Sequence, residues 1–200
     1  MMHSLADKAK GFLLNPVETF QKSKTDETGA VFTYFAVLLL FNAVLSALVV
    51  ALGFGGMEKI SGMSFGLAFP VMVFFMVFIG GFICTLIFAA WLHLWVYLFG
   101  GRKGIMQTIK AILYGNTPRL LFGWIPFVGI FFALWSLVLS ILGIREYQEL
   151  STGKLILVVV IAVVIPVVVL ILVAAYFITS FMTTTALPFP SGNPIPPLNS

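Results

Sequence analysis

Charged residues are scarce in this chain, and they are missing altogether from one long stretch. Of its 200 residues, 9% are Asp, Glu, Lys or Arg and 60% are hydrophobic, whereas a soluble domain carries about 25% charged residues. The run from Ile60 to Gly101 contains none of the four charged types. A soluble protein of this length could not bury so much apolar side chain, so the composition predicts an integral membrane protein.

The residue types of common active sites are also rare. Cys84 is the only cysteine, which excludes an intramolecular disulfide. The two histidines, His3 and His93, lie far apart, and no phosphate loop, HExxH zinc motif or GxSxG nucleophile elbow is present. The predicted spans contain no Asp or Glu, which argues against a conventional proton- or sodium-coupled carrier. We therefore predict no catalytic residue, no cofactor and no metal site.

The positions of Lys and Arg predict the topology. The uncharged run could form one long helix, or two spans that turn at Gly80 and Gly81. With one helix, nine of the 11 Lys and Arg residues lie on the inner side, whereas a turn would leave five inside and six outside. Because inner loops are enriched in basic residues, we expect one helix. The predicted spans are residues 31–52, 67–99, 105–123, 125–143 and 154–181.

The predicted fold is therefore an all-α, polytopic membrane helix bundle with five transmembrane helices in residues 31–182. The N-terminus is expected in the cytoplasm and the C-terminus outside the cell, as in a multi-pass protein of the cell membrane. Residues 1–30 read as cytoplasmic or interfacial amphipathic helices, which either lie in the interface or dock onto inner loops. Residues 183–200 are expected to form a disordered, proline-rich outer tail.

Small residues at helical spacing predict the contacts between the spans, because they let helix backbones approach closely in lipid. The fourth span carries one such stripe, at Gly129, Ala133, Ser136, Ser140 and Gly143. The second span carries another, at Gly81, Thr85 and Ala89. The last span is the most lipid-like in composition, with an expected bend at Pro166.

Four polar residues within the spans are candidates for the bundle interior: His93, Tyr114, Asn116 and Arg119. His93 continues the small-residue face of the second span, and it either hydrogen-bonds a neighbouring helix or lines a pocket. Arg119 either snorkels to headgroups or forms a polar pocket with Tyr114 and Asn116, beside carbonyls that Pro118 frees. Lys110 is expected to snorkel towards the inner surface.

Several segments resemble the Yip1 domain family, particularly its archaeal and bacterial members. They are Gly11 to Phe20, Ala111 to Pro118, Trp124 to Gly129 and Leu150 to Lys154, and the resemblance covers roughly residues 8–180. It implies a five-span membrane domain with a cytoplasmic N-terminus. Eukaryotic members act in vesicle traffic and contact prenylated Rab GTPases, but the long N-terminal region and Asp-Leu-Tyr-Gly-Pro signature of those proteins are missing here.

Three functions fit the sequence to different degrees. The leading hypothesis is a non-enzymatic protein that organises or shapes the bilayer or scaffolds other membrane proteins. The alternative is a small-molecule or ion permeation path through the helix bundle, lined by the four polar candidates. An intramembrane enzyme is the weakest hypothesis, because no nucleophile and base are paired. Expected partners are the lipid bilayer, other membrane proteins or further copies of the chain, and no nucleic acid.

Overall fold

The computed structural model describes residues 4–54 and 66–185, and those residues form helices and turns without any β-strand. The four segments that carry the family resemblance all lie within these ranges. The helices are α1 (Leu5–Leu14), α2 (Pro16–Ser23), α3 (Thr28–Val49), α4 (Ala68–Leu98), α5 (Ile105–Gly115), α6 (Thr117–Phe122), α7 (Val128–Gln148) and α8 (Thr152–Thr185).

Two short helices open the chain, and capping residues set their ends. The Ser4 hydroxyl accepts a hydrogen bond from the Asp7 amide at 3.1 Å, as expected of an N-cap. Asn15 ends α1 and directly precedes Pro16, which occupies the first position of α2. The chain therefore turns between two helices within a single residue.

Both N-terminal helices dock onto the bundle through one aromatic side chain each. Phe12 and Phe20 are completely buried. Phe12 stacks on Tyr114 with 4.7 Å between ring centroids, and Phe20 packs edge-on against Tyr147 at 5.6 Å. These contacts pack α1 against α5 and α2 against α7.

An exposed ion-pair junction reinforces this docking. Glu149, in the left-handed conformation just after α7, pairs with Lys24 and Lys103 at 2.8 Å each. Hydrogen bonds from Lys103 and Lys24, together with their charges, lower the pKa of Glu149 to about 2. One carboxylate thus joins the N-terminal segment, the α4–α5 turn and the end of α7.

Helix α4 does not turn back at Gly80 and Gly81. Its 31 residues run from Ala68 to Leu98, with a π-helical segment at Met76–Gly80. At 1.5 Å per residue the helix is about 47 Å long, whereas the hydrocarbon core is about 30 Å thick. The helix must therefore tilt or extend beyond the core.

The third predicted span, residues 105–123, is two helices rather than one. Helix α5 ends at Gly115 and α6 begins at Thr117, with Asn116 between them. Four helical segments of the described chain are long and apolar enough to cross a membrane by themselves: Thr28–Phe54, Ala68–Leu98, Val128–Gln148 and Thr152–Thr183. Four of the five predicted spans therefore correspond to such helices, and the third predicted span corresponds to the broken segment formed by α5 and α6.

Helix α7 packs antiparallel along the whole broken segment. A Cβ on Gly143 would meet Ala111 at 3.2 Å, and one on Gly129 would meet the Gly123 carbonyl oxygen at 2.6 Å. Between these points Ser140 lies against Gly115, so closely that a Cβ on Gly115 would clash with it. Small residues on both sides therefore allow this close approach.

Helix α8 continues through Pro166 to Thr185. Proline has no N–H, so the Ala162 carbonyl lacks its usual donor four residues later. The Trp91 indole Nε1 donates to that oxygen at 3.0 Å, which replaces the missing bond. The described part of α8 extends to Thr185, which lies past the predicted start of the tail at residue 183. The remainder of the predicted tail, residues 186–200, lies outside the described residues.

Candidate functional site

The break between α5 and α6 is built around the carbonyl that Pro118 leaves without a donor. In a continuous helix the amide of residue 118 would donate to the Tyr114 carbonyl, and proline cannot do so. The Thr117 hydroxyl donates to that carbonyl at 2.6 Å. Because its single proton is used there, Thr117 accepts from the Tyr34 hydroxyl, 2.9 Å away on α3.

Neighbouring helices satisfy the backbone groups of the short helix α6. The Arg119 amide donates to the Ser136 hydroxyl of α7 at 2.9 Å. The Asn42 side-chain amide of α3 donates to the Arg119 and Leu120 carbonyls at 3.3 and 3.0 Å. The Arg119 carbonyl also accepts from the Gly123 amide at 2.7 Å. Because a short helix leaves amides at its start and carbonyls at its end without partners of its own, these side chains hold the break in place.

A half-open cavity of about 710 Å³ lies beside the break, between α3, α4, α7 and the broken segment. Its polar wall includes Asn42, Ser46, Asn116, Arg119 and Ser136. The remaining wall is mostly apolar. A volume of this size falls in the range of small-molecule sites.

Arg119 is the only charged residue among the described residues that line this cavity. Its side chain is exposed. Within the described chain, its guanidinium has neither an ion pair nor a hydrogen-bond acceptor. The cavity therefore presents a positive charge with five N–H donors that the described residues leave open.

Tyr114 faces away from the cavity, towards the N-terminal helices. Its hydroxyl donates to the Asp26 carboxylate, which also pairs with Lys8 at 2.6 Å. Burial of Asp26 opposes its charged form, but hydrogen bonds from Lys8 and Tyr114 and the Lys8 charge outweigh burial, so the pKa of Asp26 lies below its usual value. The buried Lys110 ammonium donates to the Asp26 carbonyl, so the expectation that Lys110 snorkels is wrong.

His93 lies in a separate hydrogen-bonded layer. Its Nδ1 is 2.8 Å from the Thr108 hydroxyl, which accepts from the Gln148 amide at 2.9 Å. Gln148 also donates to the Gly104 carbonyl at 2.8 Å. His93 does not line the cavity, although Leu92 beside it does.

The four predicted polar residues therefore occupy three places. Asn116 and Arg119 share the cavity, Tyr114 belongs to the Asp26 cluster, and His93 belongs to the Thr108 layer. Residues separated by two positions in a helix point about 200° apart around its axis. This separation places Tyr114 and Asn116 on opposite sides. Sequence reasoning missed Asn42, although a lone amide in an apolar span was a usable signal.

The predicted packing residues divide between two places: the contact between α7 and the broken segment, which we call the seam, and the cavity. Gly129, Ser136, Ser140 and Gly143 face the broken segment, and Ser136 and Ser140 also reach the cavity wall. Thr85 and Ala133 line the cavity, Ala89 is fully buried, and Gly81 lies against Leu39 of α3.

Several long apolar helices, connected to one another by polar side chains, define a multi-pass membrane protein. One helix of its bundle is broken. The Yip1 domain profile matches residues 10–187, and the chain belongs to the Yip1 family. No curated protein and no solved structure matches the chain. Among the described residues, no three His, Cys, Asp or Glu side chains come together where they could hold a metal ion.

Proposed function

We propose that this Yip1-family protein is non-enzymatic, and that it organises or shapes the cell membrane or scaffolds other membrane proteins. The observation that carries the proposal is how the polar groups at the break are used. Thr117, Ser136 and Asn42 bond to backbone groups of the broken segment. Such bonds fix helices to one another, which suits an architectural role.

We propose further that the broken segment also crosses the membrane, as the third crossing along the chain, and so brings the total to five. Helices α5 and α6 have 11 and 6 residues, and with Asn116 between them they would extend about 27 Å. That length nearly matches the hydrocarbon core. Five crossings would place the N-terminus in the cytoplasm and the C-terminus outside, as the distribution of Lys and Arg favours.

The same geometry gives little support to permeation. The cavity reaches Leu92, Ile112 and Ile144. Beyond that level lies the hydrogen-bonded layer of Thr108 and Gln148. A permeation path would require this layer to separate, so the scaffold is the favoured function.

Vesicle morphology and flux provide the test. The full chain is reconstituted into liposomes, and vesicle diameter and release of trapped ions and small solutes are measured. We expect a protein-dependent change in diameter without flux, and a smaller change for Phe20→Ala than for the exposed-site control Leu14→Ala. Flux through the unaltered protein that disappears in Arg119→Ala would contradict the proposal.

Cysteine accessibility tests the number of crossings separately. Ser191→Cys is placed in a Cys84→Ala background, with Ser4→Cys as the control for the other end. Five crossings predict that an impermeant maleimide added to intact cells labels residue 191 and not residue 4. With four crossings both ends would lie on one side and label alike.

A further inference from the structure

The cavity beside the break combines one charge with an apolar wall. Arg119 supplies the charge, and Asn116 and Ser136 lie on the same wall. Val77, Phe88 and Leu137 contribute to the apolar remainder. A site of this composition suits an amphiphile with a negatively charged head better than an ion alone, which would gain nothing from the apolar wall.

The donors on this wall differ in availability. The Asn42 amide is engaged by two backbone carbonyls, and the Asn116 amide donates to the Ile112 carbonyl at 2.9 Å. These bonds position the wall. The Arg119 guanidinium has no acceptor among the described residues, and its planar donor array matches the oxygens of a phosphate group.

We propose that the cavity binds one anionic phospholipid, with Arg119 holding the phosphate and the apolar wall holding an acyl chain. The side chain of Arg119 is exposed, which leaves it accessible to a headgroup from the surrounding membrane. Basic pockets between membrane helices are known to bind anionic lipid headgroups. The proposal stands independently of the scaffold function, because the same site could serve a protein with any role.

Cys84 offers a direct readout of occupancy. It lines the cavity, its residue is exposed, and it is the only cysteine of the chain. The rate of Cys84 alkylation by a small maleimide is measured on the full chain in detergent. The additions compared are phosphatidylglycerol, phosphatidylcholine with the same acyl chains, and inorganic phosphate.

We expect phosphatidylglycerol to slow alkylation and the other two additions to have little effect. Arg119→Gln should weaken phosphatidylglycerol protection about tenfold or more, because a hydrogen-bonded charge is lost. Arg102→Gln is the matched control: it removes the same charge from a residue stacked on Tyr97, 3.8 Å from the ring centre and outside the cavity wall.

Three results would overturn the proposal. Equal protection by phosphatidylcholine would mean that the headgroup is not recognised, and protection by inorganic phosphate alone would indicate a free-anion site. Full protection of Cys84 by phosphatidylglycerol in Arg119→Gln would show that Arg119 does not hold the phosphate. If that variant does not fold, native mass spectrometry of the unaltered protein decides: preferential retention of phosphatidylglycerol over phosphatidylcholine supports the site, and no preference rejects it.

Discussion

Polar residues on either side of the break between α5 and α6 are used in opposite ways. Tyr114 is fully buried and bonds Asp26 of the N-terminal region. Arg119, little more than one turn away, is exposed beside a cavity and has no side-chain partner among the described residues. This short stretch therefore lies between two regions of the bundle: a closed end, where α1 and α2 dock near Tyr114, and an open end, the cavity beside Arg119.

This difference shows that a polar residue within a membrane segment does not by itself mark a ligand site. At Tyr114 the hydroxyl stabilises docking of α1 and α2, and its role is internal. At Arg119 the backbone is engaged by Ser136 and Asn42 while the side chain is left over. The candidate site is therefore distinguished by a polar side chain that has no partner among the described residues, and not by polarity alone.

The largest effect is expected from breaking the closed end at Phe20. Phe20→Ala should lower the free energy of unfolding by about 3–5 kcal/mol, since a fully buried ring is replaced by a cavity. Denaturant unfolding in detergent measures the change, and limited proteolysis reports release of α2. Leu14→Ala, at a position 65% exposed, should stay within about 0.5 kcal/mol; equal effects would refute the docking.

A smaller effect is expected from the seam between α5 and α7. Gly115→Ala should destabilise the protein by about 1–3 kcal/mol, because the new Cβ would overlap Ser140. Gly29→Ala is the matched control, since nothing lies within 4 Å of its Cβ position. Thermal unfolding in detergent compares the two, and a neutral Gly115→Ala would mean that the seam is looser than described.

The closed end should also weaken in acid. The pKa of Asp26 is lower in the folded protein than its usual 3.8, so its contribution is fully present above about pH 4 and is lost as pH falls through the folded value. Hydrogen exchange of α1 from pH 6 to pH 3, corrected for intrinsic rates, should show this loss. In Asp26→Asn that component should disappear; an unchanged pH profile would assign it to another group.

The smallest effect is expected at the open end. Leu137 lines the cavity and is 37% exposed. Leu137→Ala should therefore change the free energy of unfolding by no more than about 0.5 kcal/mol. A loss comparable to that of Phe20→Ala would show that the cavity wall is as tightly packed as the docked end, and the contrast between the ends would fail.

Periodicity in the sequence predicted the small-residue face of α7, because a spacing of 4, 3, 4 and 3 keeps residues on one side of a helix. It did not identify which segment this face would pack against. That partner is the broken segment, whose own small residues, Gly115 and Gly123, only meet α7 once the chain folds back. Sequence spacing describes a single helix, whereas pairing depends on the turn at Gly123–Phe127.

The candidate site was only partly predictable for the same reason. Pro118 predicted the break, and the missing N–H of proline identified the carbonyl that would need another donor. The residues that meet these needs, Tyr34, Asn42 and Ser136, come from distant parts of the chain. Lys110 shows the converse: snorkelling was expected because nothing in the sequence tells that the Asp26 carbonyl lies beside it.

Trp91 donates to the Ala162 carbonyl, which needs this donor because residue 166 is proline. Trp91 and Pro166 are distant in sequence, yet we expect their evolution to be coupled. A relative with an ordinary residue at 166 supplies its own amide to that carbonyl and is free to lose the indole. A relative that keeps proline while losing the indole is left with an unpaired carbonyl at a residue that is only 1% exposed. Selection should therefore tolerate the loss of Pro166 before the loss of Trp91, and should resist the loss of Trp91 while Pro166 is kept.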